Sequence, residues 1–568
     1  MLSSFRALVV GITMLLLVLS GCAGIPTSGP VGVGDPGTSD EDARSQISAS
    51  GPEKGADPNK IVRGFIAAAE GTANNFAVAK KFLTQGAAAT WNPLESVSIY
   101  PRGEYLNDIR GGIAEEGQEY SIDIPIAATV DSEGRYTAAA AGKSTKQMFG
   151  LTKVDGQWRI SSVPNGIVLS ESMFESVFDA YSVYFYDSGY DYLVPDVRWF
   201  IKRTAAATDL VQALLDGPVS WLGGAAISAF PEGTKLPLKA VTTLNGKATV
   251  TLDDAAQDVS NDQKSLMRQQ IEATLRQIPS IQSVEVFAGS SEFGSTPEQE
   301  AQSNPQVEGE PVVVADGQLR QVSATQVDPI SGVPSLAELK PSRPAASLAG
   351  NRYAFLGDGG KKLYEVGTDD PADIRVLAEG KSFVAPSYAP RDWLWTGEAD
   401  NEGNLIAISG DGKPVTISAP WLADRELKAV QISRDGARIA VLSVGTGGQS
   451  SINVTGIRYE SAGEPSGLNS PVDISTRFDD VKDISWAGDT ELALVGRLTS
   501  ETDFAPWRLV VGGPMSELGT VPEIQSITAS SDGQSMYAGT AAGKLYSRSG
   551  GSWQELLDIK GSDPSYPG

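Results

Sequence analysis

Histidine is absent from all 568 residues, and cysteine occurs once, at position 22. The first absence removes Ser-His-Asp and Cys-His catalysis, histidine general-base chemistry and histidine-ligated zinc. The second removes any disulfide within the chain. Carboxylates, lysine, tyrosine and hydroxyls remain as catalysts, and no constellation of them announces an enzyme. Cations are scarce too: 45 Lys and Arg face 70 Asp and Glu, a formal net charge of −25. Nucleic acids and anionic polymers are held by Lys/Arg stripes. No basic, aromatic-interleaved patch occurs, so nucleic acid is excluded and broad contact with anionic lipid is disfavoured. The apolar run Ala7 to Leu19 holds 13 residues. That is too short to cross ~30 Å of hydrocarbon at about 1.5 Å per residue.

That run, with Arg6 before it and small residues after it, reads as an export signal over residues 1–21. Leu19-Ser20-Gly21-Cys22 resembles the lipobox of bacterial lipoproteins. The resemblance implies cleavage between Gly21 and Cys22, S-diacylglycerol and N-palmitoyl groups on Cys22, and residence at the extracytoplasmic face of the plasma membrane. Each buried methylene contributes about 0.8 kcal/mol and one chain anchors only reversibly; two or three chains would hold firmly. Residues 22–56, rich in Gly, Pro, Ser and Asp, cannot bury enough apolar surface to order themselves. They read as a flexible tether with an end-to-end distance of roughly 30–35 Å.

The remainder divides into three folded regions. In 57–170, Asp57-Pro58 is a helix start, and Ile61, Phe65 and Ala68 recur at helical spacing. A second helix is expected from Phe76 to Leu83, ending at Gly86. Strand alternation follows at Val97/Ile99 and Ile122/Ile124/Ile126, then a hairpin at Asp155-Gly156. Helices followed by a curved antiparallel sheet ending in Val154-Asp-Gly-Gln-Trp-Arg-Ile160 resemble an NTF2-like α+β cone. Gly142-Lys143-Ser144-Thr145 copies the tail of a P-loop but lacks the leading glycine, Thr137 standing there. An aromatic-dense stretch from Phe174 to Phe200 reads either as core plus a seam between domains or as a partner-binding surface, since Tyr and Trp are enriched at interfaces.

In 181–290, strands at Tyr184–Tyr186 and Asp191–Ile201 precede a helix capped by Thr208 and stopped by Gly217-Pro218. Strands Leu236–Thr243 and Ala248–Leu252 flank the type I′ signal Asn245-Gly246. Met267, Ile271, Leu275 and Ile278 line one helical face, and Val284/Val286 alternate in a last strand. Leu210-Val-Gln-Ala-Leu-Leu215, Phe230-Pro-Glu-Gly-Thr-Lys-Leu236, Ala248-Thr-Val-Thr-Leu252, and Gln270-Ile271 with Thr274-Leu275 resemble the GerMN domain. The resemblance implies a small α/β binding fold without catalytic residues. Residues 291–311, rich in Glu, Gln, Ser and Pro, read as an acidic linker.

Region 312–568 contains a repeat. Ser347-Leu-Ala-Gly-Asn-Arg-Tyr-Ala354 matches Ser433-Arg-Asp-Gly-Ala-Arg-Ile-Ala440 position for position, with looser copies at Ser387, Ser485 and Ser530. The serines lie 40, 46, 52 and 45 residues apart. Four short strands per unit make this an all-β propeller of five or six blades, with Val312–Val314 and Leu319–Val322 completing a sixth blade or closing the ring. The alanine after Tyr353, Ile439 or Tyr537 is expected to face a tight space between blades. Asp400-Asn401-Glu402-Gly403 lacks the alternating oxygens of a calcium loop and reads as a hairpin tip. No cofactor or metal site emerges.

Signal, tether, cone, GerMN-like domain and propeller, with Leu193-Val-Pro-Asp-Val-Arg-Trp199 opening the GerMN-like part, resemble the actinobacterial lipoprotein LpqB family over the whole chain. The resemblance implies an accessory lipoprotein of the MtrA–MtrB two-component system. Such a protein would contact the extracytoplasmic part of the MtrB-type sensor kinase and affect envelope homeostasis and division. Two other readings stay open: a receptor for a cell-wall component, independent of a kinase, and a propeller hydrolase or lyase working through paired carboxylates.

Overall fold

The computed structural model describes residues 50–71, 73–105, 111–113, 119–202, 205–294, 296–307, 309–323, 326–369, 373–460, 463–499 and 501–568. Residues 47–568 group as one compact unit. Gly21, Cys22, the signal and most of the tether lie outside the described residues.

The first region opens on helix α1 (Pro58–Ala69). Asp57 caps it, its Oδ1 accepting from the Lys60 N–H at 2.9 Å, and Ile61, Val62, Phe65 and Ile66 form the buried stripe. The second helix differs from expectation. α2 spans Ala73–Lys80, and Gly86 does not end it. Instead Gly86 lies inside a further helix, α3 (Gln85–Thr90), because the Thr84 hydroxyl accepts from Ala87 N–H and starts a new turn. These helices cover two four-stranded sheets. The chain passes from one sheet to the other between strands Glu119–Pro125 and Ala128–Asp131. Ile122, Ile124 and Ile126 all face the core, and Asp155 and Gly156 take the two positive φ values that the type I′ turn requires. Helix α4 (Glu171–Val177) leads out of this domain.

Strands Phe178–Tyr186 and Tyr192–Ile201 form a long hairpin shared by two cores. Phe174, Phe178 and Trp199 belong to the first domain's apolar cluster, whereas Tyr181, Phe185 and Tyr186 belong to the second's. The aromatic stretch is therefore core and seam together. In the second domain, helix α5 (Ala206–Asp216) packs on the hairpin and on helix α6 (Asn261–Leu275), which lies against a four-stranded sheet. Thr208 does not cap α5. It lies within the helix, and its hydroxyl accepts from Val241 N–H at 2.9 Å, tying down a distant loop. The strand expected over Leu236–Thr243 shrinks to Thr242–Leu244, since Leu236 turns inward and the Lys239 N–H closes a turn on its carbonyl. Asn245 and Gly246 make the hairpin turn that follows, both at positive φ. The stretch read as a linker carries short strands. Ser291–Glu292 extends the second domain's sheet, and Gln302–Ser303 pairs in parallel with Tyr192–Leu193.

The third region is a propeller of six sheets. Blades 2 to 6 begin at Ser342, Ser387, Arg425, Phe478 and Ile524. Blade 1 joins Val312–Ala315, Gln318–Val322 and Val327–Pro329 to the strand Ser562–Ser565, so the two expectations for Val312–Val322 hold together: it completes a sixth blade and closes the ring.

The repeated serine has a mechanical role. In blades 2, 4 and 6 the Oγ of Ser347, Ser433 and Ser530 accepts from the N–H five residues on, at 3.2, 3.1 and 3.1 Å. It thus pins the turn between the inner two strands. Ser387 and Ser485 lie two residues early. Ala389 and Ala487 occupy the turn position in blades 3 and 5, paired with Trp393 and Glu491. Ser387 serves a different purpose, accepting from Ile432 N–H of the next blade at 3.0 Å. The small-residue rule holds for Ala354 and Ala440, which pack against the following blade. It holds in blade 6 too, but toward the preceding blade: Ala538 faces blade 5, while Tyr537 faces blade 1.

Candidate functional site

The motif-like segments are turns. Gly142 sits in an exposed turn that runs into the strand Ser144–Val154, so no helix N-terminus follows to cradle a phosphate. Asn401 and Gly403 form a tight turn, the Asn401 Oδ1 accepting from Gly403 N–H at 2.8 Å while its amide donates to Arg425 O. Among the described residues no group of three or more Asp, Glu or Cys side chains could hold a metal.

Charge is concentrated instead where the domains meet. Asp196 and Arg198, both buried, form a two-point ion pair at 3.1 and 2.7 Å. Asp196 also accepts from Val219 N–H, and Arg198 donates to Glu133 O and Gly217 O. The next residue, Trp199, stacks obliquely on Phe174 of the first domain at 4.9 Å and donates its indole N–H to Gly512 O of blade 5 at 2.8 Å. Leu193-Val-Pro-Asp-Val-Arg-Trp199 is thus one strand touching three domains.

The rim bearing the inner-strand turns of blades 3 to 5 carries the second domain. Arg391 of blade 3 reaches Asp187 and Asp191 at 2.9 and 2.6 Å. Ala437 of blade 4 joins the second domain's apolar cluster. The Asn469 amide donates to Trp221 O and Gly223 O. Beneath this contact Asp435 pairs with Arg438, both fully enclosed, and the Arg438 guanidinium lies 4.8 Å from the centre of the Trp486 ring. Burial raises the pKa of Tyr184, and the Asp489 carboxylate beside it raises it further; Asp489 is itself pushed up by burial, against the pull of Arg438. Sequence reasoning missed Asp187, Asp196, Arg198, Arg391 and Asp489. Only the charged pair inside an otherwise apolar Leu193–Ile201 strand hinted at them.

Two hollows remain. A cleft of about 390 Å³ separates the first domain from blade 5, lined by Tyr136, Trp507, Arg102, Glu171, Glu175 and Arg477. Two of its carboxylates are held by guanidinium groups, Glu175 by Arg102 at 2.7 Å and Glu171 by Arg477 at 3.1 Å; Glu517 lines it as well. The propeller axis holds only about 40 Å³, lined by one side chain or more from every blade, among them Arg343, Pro386, Gln431, Asp483, Ser526 and Asp563. Arg434 closes off carbonyls near the axis, donating to Ala529 O at 2.9 Å and to Trp486 O and Pro567 O at 3.4 Å. Burial pulls its pKa down to about 10. Burial also pushes Asp483 up to about 6, against the attraction of Arg343 and a hydrogen bond from Ile527 N–H.

Comparison with known proteins agrees with this architecture. Residues 51–175 match the family model described as "Lipoprotein LpqB, N-terminal domain", residues 182–291 match "Sporulation and spore germination", and residues 317–567 match "Lipoprotein LpqB beta-propeller domain". A protein named Lipoprotein LpqB from Thermobifida fusca is 26% identical, with 99% of this chain and 99% of the relative covered. Its namesake from Streptomyces coelicolor is 28% identical over 97% and 96%. Among solved structures, TolB from Acinetobacter baumannii aligns with 45% of this chain and 65% of its own, at 14% identity and a TM-score of 0.34.

Proposed function

The chain belongs to the LpqB lipoprotein family, and on that premise we propose that it is a membrane-anchored accessory protein that binds the extracytoplasmic part of an MtrB-type sensor kinase and modulates its output. The observation that carries this reading is where the buried charge is used. Arg198, which donates to Glu133 O and Gly217 O, Trp199, which donates to Gly512 O, and Arg391 with Asp187 and Asp191 tie three binding-type domains into one body, which suits a rigid docking partner. Lipid on Cys22 would confine that body to the membrane face and raise its effective concentration toward an embedded kinase. Docking changes kinase output only if it favours one kinase state over another. Effects on envelope homeostasis and division would follow from the kinase.

The test is autophosphorylation of reconstituted kinase with and without the mature lipoprotein. A changed rate together with a stable complex is the expected result; equal rates and no detectable complex remove the proposal. One observation favours a second reading, a cell-wall ligand receptor. The cleft of about 390 Å³ has an aromatic wall in Tyr136 and Trp507 beside paired charges, in the size range of small-ligand sites. Protection of this cleft from hydrogen exchange by soluble wall fragments, in the absence of kinase, would separate the two.

A further inference from the structure

The segment Pro237 to Asn245 is exposed throughout except at half-buried Val241. Within it stand two leucines with almost no cover, Leu238 at 80% and Leu244 at 68% exposure. Among the described residues, the other large apolar side chains this exposed, Tyr105 and Leu557, fall in separate domains. The segment ends in Thr242–Leu244, the outermost strand of the second domain's sheet. Its charge is as unusual as its apolar content. From Gly233 to Leu252 there is no Asp or Glu, but there are Lys235, Lys239 and Lys247, in a chain of net charge −25. Lys247 pairs with Glu285 at 3.0 Å, and Lys235 and Lys239 are both exposed.

Lysine on a sheet edge is a common guard against strand pairing. That explains the lysines but not the leucines, which a guarded edge should lack. Exposed leucines on a turn, flanked by lysines, have the chemistry of a surface that enters the headgroup zone of an anionic bilayer: apolar side chains insert and ammonium groups meet lipid phosphates. We propose that the Leu238–Leu244 edge is a membrane contact, which lays the second domain on the bilayer that carries the protein. The net negative charge does not forbid this. Charges beyond about 8 Å are largely screened at physiological salt, so the approach is set locally, by Lys239 within the edge and by Lys235 beside Asp253, whose backbone N–H donates to Lys235 O at 3.0 Å. A second copy of the chain is a poor occupant, because two such edges would oppose lysine to lysine.

The test uses residues 47–568 without lipid, which form one compact unit, floated with vesicles. Phosphatidylcholine mixed with phosphatidylglycerol should carry the protein upward, and phosphatidylcholine alone should not. Leu238→Ser with Leu244→Ser should cut the bound fraction by about tenfold. Lys235→Glu with Lys239→Glu should abolish binding, and added salt should mimic that loss. Thermal melting should not move in either pair, since all four side chains are exposed. The proposal is overturned if neither vesicle floats the protein, or if both pairs float like wild type. It is equally overturned if the leucine pair weakens binding to the purified sensor domain while vesicles never bind, which would make the edge a protein-docking site.

Discussion

Two side chains near the propeller axis carry opposite penalties, and each can be removed alone. Arg434 is a buried cation offset by hydrogen bonds to carbonyls at the ends of the inner strands of blades 5 and 6 and at Pro567, and by the attraction of the Asp532 carboxylate. Arg434→Met keeps the stem and strands those carbonyls. An unpaired buried acceptor costs about 1–3 kcal/mol, so a net loss of about 3 kcal/mol is expected. Hydrogen exchange should quicken at Ile524–Ala529 and stay unchanged in blade 2. Uniform exchange would show that the arginine merely fills space. Asp483 works the other way. Its pKa rises from 3.8 unfolded to about 6 folded. At pH below about 4 both states hold the proton and the group is neutral for stability. As pH climbs from about 4 to 6 the unfolded chain releases its proton first, so stability falls, and the loss is complete above 6. At about 1.4 kcal/mol per unit the ceiling is about 3 kcal/mol, reduced because Asp483 is not fully shut off from the channel. Asp483→Asn keeps an acceptor for Ile527 N–H. It should melt higher than wild type at pH 7 and match it near pH 4; a constant difference across that range would refute the assignment.

At the scale of elements, the strand Tyr192–Ile201 is the piece on which the domain arrangement rests. Asp196→Ala removes the two-point carboxylate from the enclosed Arg198 and leaves it the Glu133 carboxylate at 3.9 Å; breaking a buried pair costs about 3–5 kcal/mol, and the remaining carboxylate sets the expected loss at the lower end of that range. Asp196→Leu combined with Arg198→Met removes both charges and should recover most of that loss. If single and double variants melt alike, the pair is not the joint. Why was this strand readable while its role was not? Its apolar residues obey a local pattern. Its partners do not: Trp199 meets Gly512 and Arg198 meets Glu133, contacts that no short-range period encodes. The same distinction explains the other outcomes. The turn serines Ser347, Ser433 and Ser530 were legible because each bonds a neighbour five residues on. Ser387 and Ser485 looked alike in sequence but stand two residues early, since alanine took the turn. Thr208 resembled a cap because it precedes an apolar stripe, yet its hydroxyl is spent on Val241 N–H from a distant loop.

For the whole molecule, the blade count could not be settled from the repeat because the first blade is built from both ends of the propeller. Val312–Ala315 pairs antiparallel with Ser562–Ser565, matching Val312 to Ser565 and Val314 to Ser562. A ring closed in this way has no free sheet edge at the join. The closing strand also bridges its neighbours. Tyr566 N–H donates to Thr528 Oγ1 of blade 6 at 2.9 Å, and Gly568 N–H to Ala346 O of blade 2 at 3.1 Å. Deleting residues 562–568 should therefore do more than fray a terminus. It exposes the edge Val312–Ala315, removes Pro567 O from Arg434, and uncovers Tyr537, which packs on Tyr566 at 5.9 Å. The truncated protein is expected to unfold blades 1 and 6 first and to aggregate through the exposed edge. The second domain should keep its own protection, since its apolar cluster draws only Ala437 from the propeller. Hydrogen exchange on the truncated chain checks this directly. Loss confined to blades 1 and 6 supports ring closure as the source of propeller stability, whereas simultaneous loss in the second domain would mean that the three domains fold as a single cooperative unit.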